Sequence, residues 1–254
     1  MRFLRSAATV ALAISCAALP SIGLLAPSAE PQDSIGAVGP LFFPSALGLA
    51  ATFQLPHYCS ASVVHSESRN LILTAAHCIG GTGRGIEFAP GYHDGISPSG
   101  VWDVERVYLD PGWVHGQDPA DDVAVLTLAP HGDKQIEDVV PAPTLAAAPA
   151  AGVVVTVDGY VAGEGGRPIS CTAPTYYTTG YPSFDCDGYS AGVSGGPWLV
   201  GKHVVGIIGG LLQGGCSPDT SYSPVFGPAV ARLVTRAERD RPSDLAPVPP
   251  PSGC

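Results

Sequence analysis

The sequence predicts an all-β fold with one short helix near its C-terminus, and three observations carry that prediction. The 254 residues include 32 Gly and 26 Pro, a density of turn formers that suits short strands joined by tight turns. Only 13% of the residues are charged, which fits buried strands better than long solvated helices. Helical periodicity is confined to Pro228–Glu238 (PAVARLVTRAE), where Val230, Leu233 and Val234 recur at spacings of three and four on one face.

The elements follow in chain order. Residues 1–5 carry two arginines and residues 6–26 are almost wholly apolar or small, the pattern of a secretory signal peptide over 1–28 with cleavage after Ser28 or Ala29. Pro20 interrupts the apolar run and argues against a retained membrane anchor. Cys16 does not read as a lipid-attachment site, because Ala13 stands where such a site favours Leu and the run continues past the cysteine. Residues 29–37 form an N-terminal segment or propeptide remnant.

Leu71, Ile72 and Leu73 make an apolar run that reads as a buried strand entering TAAHC at residues 74–78. Small alanines surround His77 and a cysteine follows it, so among the seven histidines it is the strongest candidate for a general base. Asp122 opens DVAVLTL, an apolar strand, and is placed to orient such an imidazole. The Pro- and Ala-rich residues 141–151 read as a connector. At residues 192–197, GVSGGP sets Ser194 in a turn of small residues whose Gly192 and Ser194 amides can point together at a developing oxyanion. Residues 241–254 are proline-rich and read as an extended tail, with Cys254 able to pin it to the body or to another chain.

The trio TAAHC, DDVAVL and GVSGGP, in the order His, Asp, Ser, resembles the chymotrypsin-like (trypsin-like) serine peptidases. The run HYCSASVVHSESRNLILTAAHCIG, with SGGPWL and YSPVFG, is similar more narrowly to the secreted trypsin-like peptidases of actinobacteria, over roughly residues 45–236. The order sets the chain apart from subtilisin-like enzymes and α/β-hydrolases, which arrange the same residue types differently. The resemblance implies two antiparallel Greek-key barrels with the active site between them. The first would span 38–140 and carry His77 and Asp122; the second would span 141–240 and carry Ser194 and the terminal helix.

By the same resemblance His77 is general base and then acid, Asp122 its orienting partner, and Ser194 the nucleophile, with an oxyanion hole at the Gly192 and Ser194 amides. The family pattern puts the carboxylate immediately before the apolar strand, so Asp122 is chosen and Asp121 is read as a solvated loop charge. Cys59 and Cys78 match the family disulfide that ties the strand before the His turn to the turn. Removal of the signal leaves six cysteines, an even number suited to an oxidising compartment. Among the other four, Cys186 with Cys216 would brace the substrate pocket, whereas Cys171 with Cys186 would close a local loop.

Substrate preference follows the family less closely. The position six before the nucleophile, where cleavage after Lys or Arg needs a carboxylate, holds Gly188, with Asp185 and Asp187 nearby. VVGIIGG at 204–210 aligns with the substrate-binding strand, but Gly209 stands where a Ser supports the triad Asp and Gly210 where an aromatic sits. The pocket formed by Gly188, Gly209 and Gly210 is therefore expected to be open and to favour an apolar or small side chain. Val193 replaces the Asp that receives a new N-terminus in activated family members, so activation by that ion pair is not expected.

A net charge of −10 with only 12 Lys and Arg excludes a nucleic-acid role, and no Cys or His cluster has the spacing of a metal site. The expectation is a secreted, monomeric serine endopeptidase acting on protein or peptide substrates, without metal or cofactor and without stable membrane association. The alternatives are a catalytically silent binding or adhesion protein on the same fold and a secreted serine esterase.

Overall fold

Short apolar runs bounded by Gly and Pro become strands throughout this computed structural model, which describes residues 30–31, 36–43, 56–163, 166–217 and 219–251. The expected signal peptide and Cys254 lie outside those residues. The strands of the N-terminal part are β1 (Glu30–Pro31), β2 (Val38–Phe42), β3 (His57–Val64), β4 (Leu71–Thr74), β5 (Glu87–Phe88), β6 (Trp102–Leu109) and β7 (Ala124–Leu128). Those that follow are β8 (Thr144–Leu145), β9 (Val154–Gly159), β10 (Ile169–Pro174), β11 (Tyr176–Thr178), β12 (Tyr181–Asp185), β13 (Pro197–Val200), β14 (His203–Ile207) and β15 (Thr220–Tyr222). The helices are α1 (Pro111–Gly116) and α2 (Pro228–Glu238).

Strands β2, β3, β4, β7, β6 and β5 form a closed antiparallel barrel, completed where Leu41 of β2 pairs with Phe88 of β5. The residues of β4 and β7 are all buried, which explains why these strands read as continuous apolar runs instead of alternating ones. Their register pairs Thr74 with Ala124. The chain leaving β4 into a 3₁₀ turn at Ala76–Cys78 is thereby set beside the residues that enter β7.

The second half is built from two sheets, one ordered β1-β10-β9-β13-β14-β8 and the other β11-β12-β15. Among the described residues the strand ladder closes into a barrel only in the first half. The expected connector contains β8, which joins β14 in a parallel pair, His203 with Thr144 and Val204 with Leu145. Trp198 and Phe184 are fully buried here and meet edge to face at 4.9 Å.

Two disulfides join described residues, Cys59 to Cys78 and Cys171 to Cys186. The second selects the local loop among the pairings left open by the sequence. Cys216 is also disulfide-bonded.

The helix expected from periodicity forms over the same residues, Pro228–Glu238, and Pro228 occupies its first turn, where a missing N–H costs nothing. It buries Val230, Leu233 and Ala237 against the first barrel, with Val234 half-buried. Beyond it the tail docks on that barrel. Asp244 donates its amide to the Val107 carbonyl at 2.8 Å and accepts the Leu109 amide at 2.7 Å, while Arg236 holds its carboxylate at 3.0 Å. Ala246 and Gly81 exchange backbone hydrogen bonds of 2.8 and 3.1 Å. No described helix is long and apolar enough to cross a membrane.

Candidate active site

His77 lies in the 3₁₀ turn after β4, and Cys78, next to it, is bonded to Cys59 on the neighbouring β3. This staple fixes the turn against the barrel. Asp122 is 1% exposed and receives three hydrogen bonds. The His77 amide donates to Oδ1 at 2.9 Å, the His77 ring Nδ1 faces Oδ2 at 2.8 Å, and the Gly210 amide donates to Oδ2 at 2.8 Å. An ionised carboxylate only accepts, so the neutral imidazole carries its proton on Nδ1 and keeps a lone pair on Nε2.

Ser194 sits half-buried in the turn that precedes β13. Gly192 has φ +100, and a Cβ there would stand 2.4 Å from the Ala162 nitrogen and 2.6 Å from the Tyr160 carbonyl oxygen, so only glycine fits. The other amides of the turn are used internally: Val193 to Ser190, Gly195 to Ile208 and Gly196 to Val193. Those of Gly192 and Ser194 donate to no acceptor among the described residues. Two donors are thus left beside one hydroxyl.

The two halves meet at this turn. The Ser194 carbonyl accepts the Ser60 amide at 2.7 Å, and Ser60 Oγ donates to the Gly192 carbonyl at 2.9 Å while accepting the Tyr160 amide at 2.8 Å. His77 and Ser194 share the wall of one cavity of about 760 Å³. Its other walls include Tyr189, Leu212, Thr220 and Ser221, and no Asp, Glu, Lys or Arg lines it among the described residues.

The residues expected to form the substrate pocket fall elsewhere. Gly188 is an exposed turn residue off the cavity wall, and Gly209 and Gly210 are buried behind it. Gly210 binds the Asp122 carboxylate, and a side chain on Gly209 would begin 3.1 Å from Asp122 Oδ2. Both glycines therefore press backbone onto the carboxylate that a serine would otherwise reach. Asp187 is exposed, and Asp185 accepts from Tyr176 Oη at 2.6 Å and Thr220 Oγ1 at 2.9 Å instead of lining the cavity. Asp121 is half-buried, not solvated; burial, with Asp110 and Asp118 beside it, raises its carboxyl above the usual range.

One residue with a claim on the site had no signal beyond being a lone Asp in an apolar strand. Asp158 of β9 is 1% exposed, and burial raises its carboxyl to about 6 against a hydrogen bond from Ser170 that lowers it. Its carbonyl oxygen would meet a Cβ on Gly196 at 2.3 Å, and its neighbour Gly159 packs against Val193. The backbone of this buried acidic residue therefore lies directly behind the serine turn, while its carboxyl is partnered by Ser170. Cys59, His77 and Cys78 place ligand-type atoms within 4.8 Å of one another, but the two sulfurs are bonded to each other.

A search of curated protein sequences finds no match. Among solved structures, the protease Anisep from Arthrobacter nicotinovorans superposes with a TM-score of 0.69 at 21% identity, covering 83% of this chain and 99% of that one. A thermostable serine protease, AL20, from an extremophilic microorganism gives 0.67 at 25% identity, covering 81% and 98%. The inactivated protease paralogue S-I1 of the scabies mite gives 0.60 at 15%, covering 84% and 100%, so the shared fold includes a chain described as inactive. The sequence also matches the model of the trypsin-like peptidase domain over residues 59–207, a span that starts at the cysteine stapled to the His turn and takes in His77, Asp122 and Ser194. The chain belongs to the trypsin-like peptidase family.

Proposed function

We propose that the protein is a secreted serine endopeptidase that hydrolyses peptide bonds through an acyl-enzyme. The observation that carries this reading is the pairing, on one cavity wall, of an Asp-oriented imidazole with a serine flanked by two unused amides. Ser194 Oγ attacks the scissile carbonyl as His77 Nε2 takes its proton, and the Gly192 and Ser194 amides receive the negative oxygen. Nε2 then returns that proton to the departing amine as the C–N bond breaks. Water repeats the cycle on the ester, releasing the acid and free Ser194.

Asp122 keeps the imidazole in the tautomer that can accept at Nε2 and steadies the cation formed in between. The absence of charged side chains from the described cavity wall favours an uncharged, apolar or small residue before the scissile bond. Asp185, turned to Tyr176 and Thr220, gives no support to cleavage after Lys or Arg. Two disulfides among the described residues, together with the predicted signal peptide, support export to an oxidising compartment.

The test is labelling with a diphenyl phosphonate followed by peptide mapping. A stoichiometric adduct on Ser194 is the expected result. An unlabelled, folded protein would favour the silent binding scaffold, and turnover of esters with intact peptides left uncut would favour the esterase.

A further inference from the structure

The proline-rich tail takes no part in the chemistry and yet reaches it. Past Ala246 the Val248 carbonyl accepts Gln117 Nε2 at 2.7 Å, and the Pro249 ring lies against Gly80. Pro250 then stands on the wall of the cavity that holds His77 and Ser194. The carbonyls of Pro250 and Pro251 accept from Gln213 Nε2 at 3.4 and 3.0 Å.

The two glutamines belong to opposite halves of the molecule. Gln117 follows α1 on the first barrel, and Gln213 lies in the loop after β14 on the second. Residues 248–251 consequently cross the cleft from one half to the other. Both latches sit in backbone conformations that side chains seldom adopt: φ is +50 at Gln117, and +51 and +55 at the successive residues Leu212 and Gln213. Such strain persists only where the surroundings hold it.

Proline chemistry suits a segment placed there. Three successive prolines are pre-extended and have carbonyls to offer Gln213, but they have no N–H with which to pair as a substrate strand. The segment can fill a peptide groove without binding as a substrate binds. The loop carrying Gln213 continues from Gly209 and Gly210, the stretch that aligns with the family's substrate-binding strand.

From these contacts we infer that residues 248–251 are a fixed strap across the acyl side of the cleft, latched by Gln117 and Gln213, which limits substrates to a few residues ahead of the scissile bond. The inference rests on the peptidase reading above. It makes the strap a determinant of substrate length, separate from the pocket that reads the side chain.

The test compares kcat/KM for peptides that share the residues around the scissile bond and carry one to four residues on the acyl side. The full chain is set against a chain ending at Val248 and against a full-length Gln117→Ala, Gln213→Ala variant, which guards against misfolding of the shortened form. Expected for the full chain is no gain, or a loss, beyond two acyl-side residues. In the shortened chain the four-residue peptide should gain at least tenfold relative to the one-residue peptide, and the double variant should move several-fold in the same direction. An unchanged ratio in both, with phosphonate still labelling Ser194, overturns the strap and leaves the peptidase standing. Failure of all three folded forms to label removes the peptidase reading and the strap with it.

Discussion

At the level of single residues, the proposed chemistry is concentrated where backbone groups are left unused. Ser194→Ala should lower turnover by about 10⁴-fold or more with the thermal melt unchanged, because the hydroxyl is the group lost while the turn's internal bonds remain. A mutant that keeps the wild-type rate would end the acyl-enzyme reading. Val193 is buried and packed on Gly159, so the turn is shaped by contact and not by an ion pair. Protein carrying extra residues at its N-terminus should therefore be active, and strict dependence on cleavage at one site such as Ile35 would contradict that. Asp158 makes a pH prediction with a definite sign. Its folded-state value of about 6 lies above the ordinary carboxyl value of 3.8, so its contribution is best below the ordinary value and is lost as pH rises through about 6. Asp158→Asn should stabilise the fold at pH 8 by on the order of 2 kcal/mol and have little effect near pH 4. Urea titrations at the two pH values decide this, and equal shifts at both would refute it.

At the level of elements, the serine turn is both the candidate site and the seam. Gly195 has φ +82, and a Cβ there would begin 2.2 Å from the Ser60 carbonyl oxygen and equally close to Thr74 Oγ1. Gly195→Ala should cost on the order of 3 kcal/mol or more, measured by denaturant melts, and a near-neutral change would show that the seam gives way readily. Much of this architecture is legible in the sequence. The strands into TAAHC and out of Asp122 are local apolar runs, and the helix Pro228–Glu238 has its own period and its own proline start. What stays hidden depends on partners distant in the chain. Thr144 and Leu145 look like connector until His203 and Val204 lie beside them, and Gly209 and Gly210 look like pocket until Asp122 is seen behind them. Asp158 gives no hint because a single polar residue in an apolar strand reads the same facing water or buried.

For the molecule as a whole, the tail is what the sequence describes least well. Composition marks it as extended, but the pairings of Ala246 with Gly81 and of Asp244 with Arg236 bind it to the first barrel and to α2. Those contacts are set by sequence separations of more than a hundred residues in the first case, beyond any local pattern. The disulfides extend the same point. Cys59–Cys78 and Cys171–Cys186 account for four of the seven cysteines, and Cys216 is bonded as well. Once the predicted signal peptide and its Cys16 are removed, peptide mapping without reduction should recover Cys216 joined to Cys254, and a free thiol at Cys254 would refute it. The docked tail also bears on how the protein is handled in the laboratory. Pro251 is held at Gln213 on the rim of the cleft, so a purification tag or fusion partner appended at that end would be tethered close to the cleft. Recombinant protein labelled at that end would be assayed with a foreign peptide beside the candidate site, and a tag removed from the other end is the sounder choice.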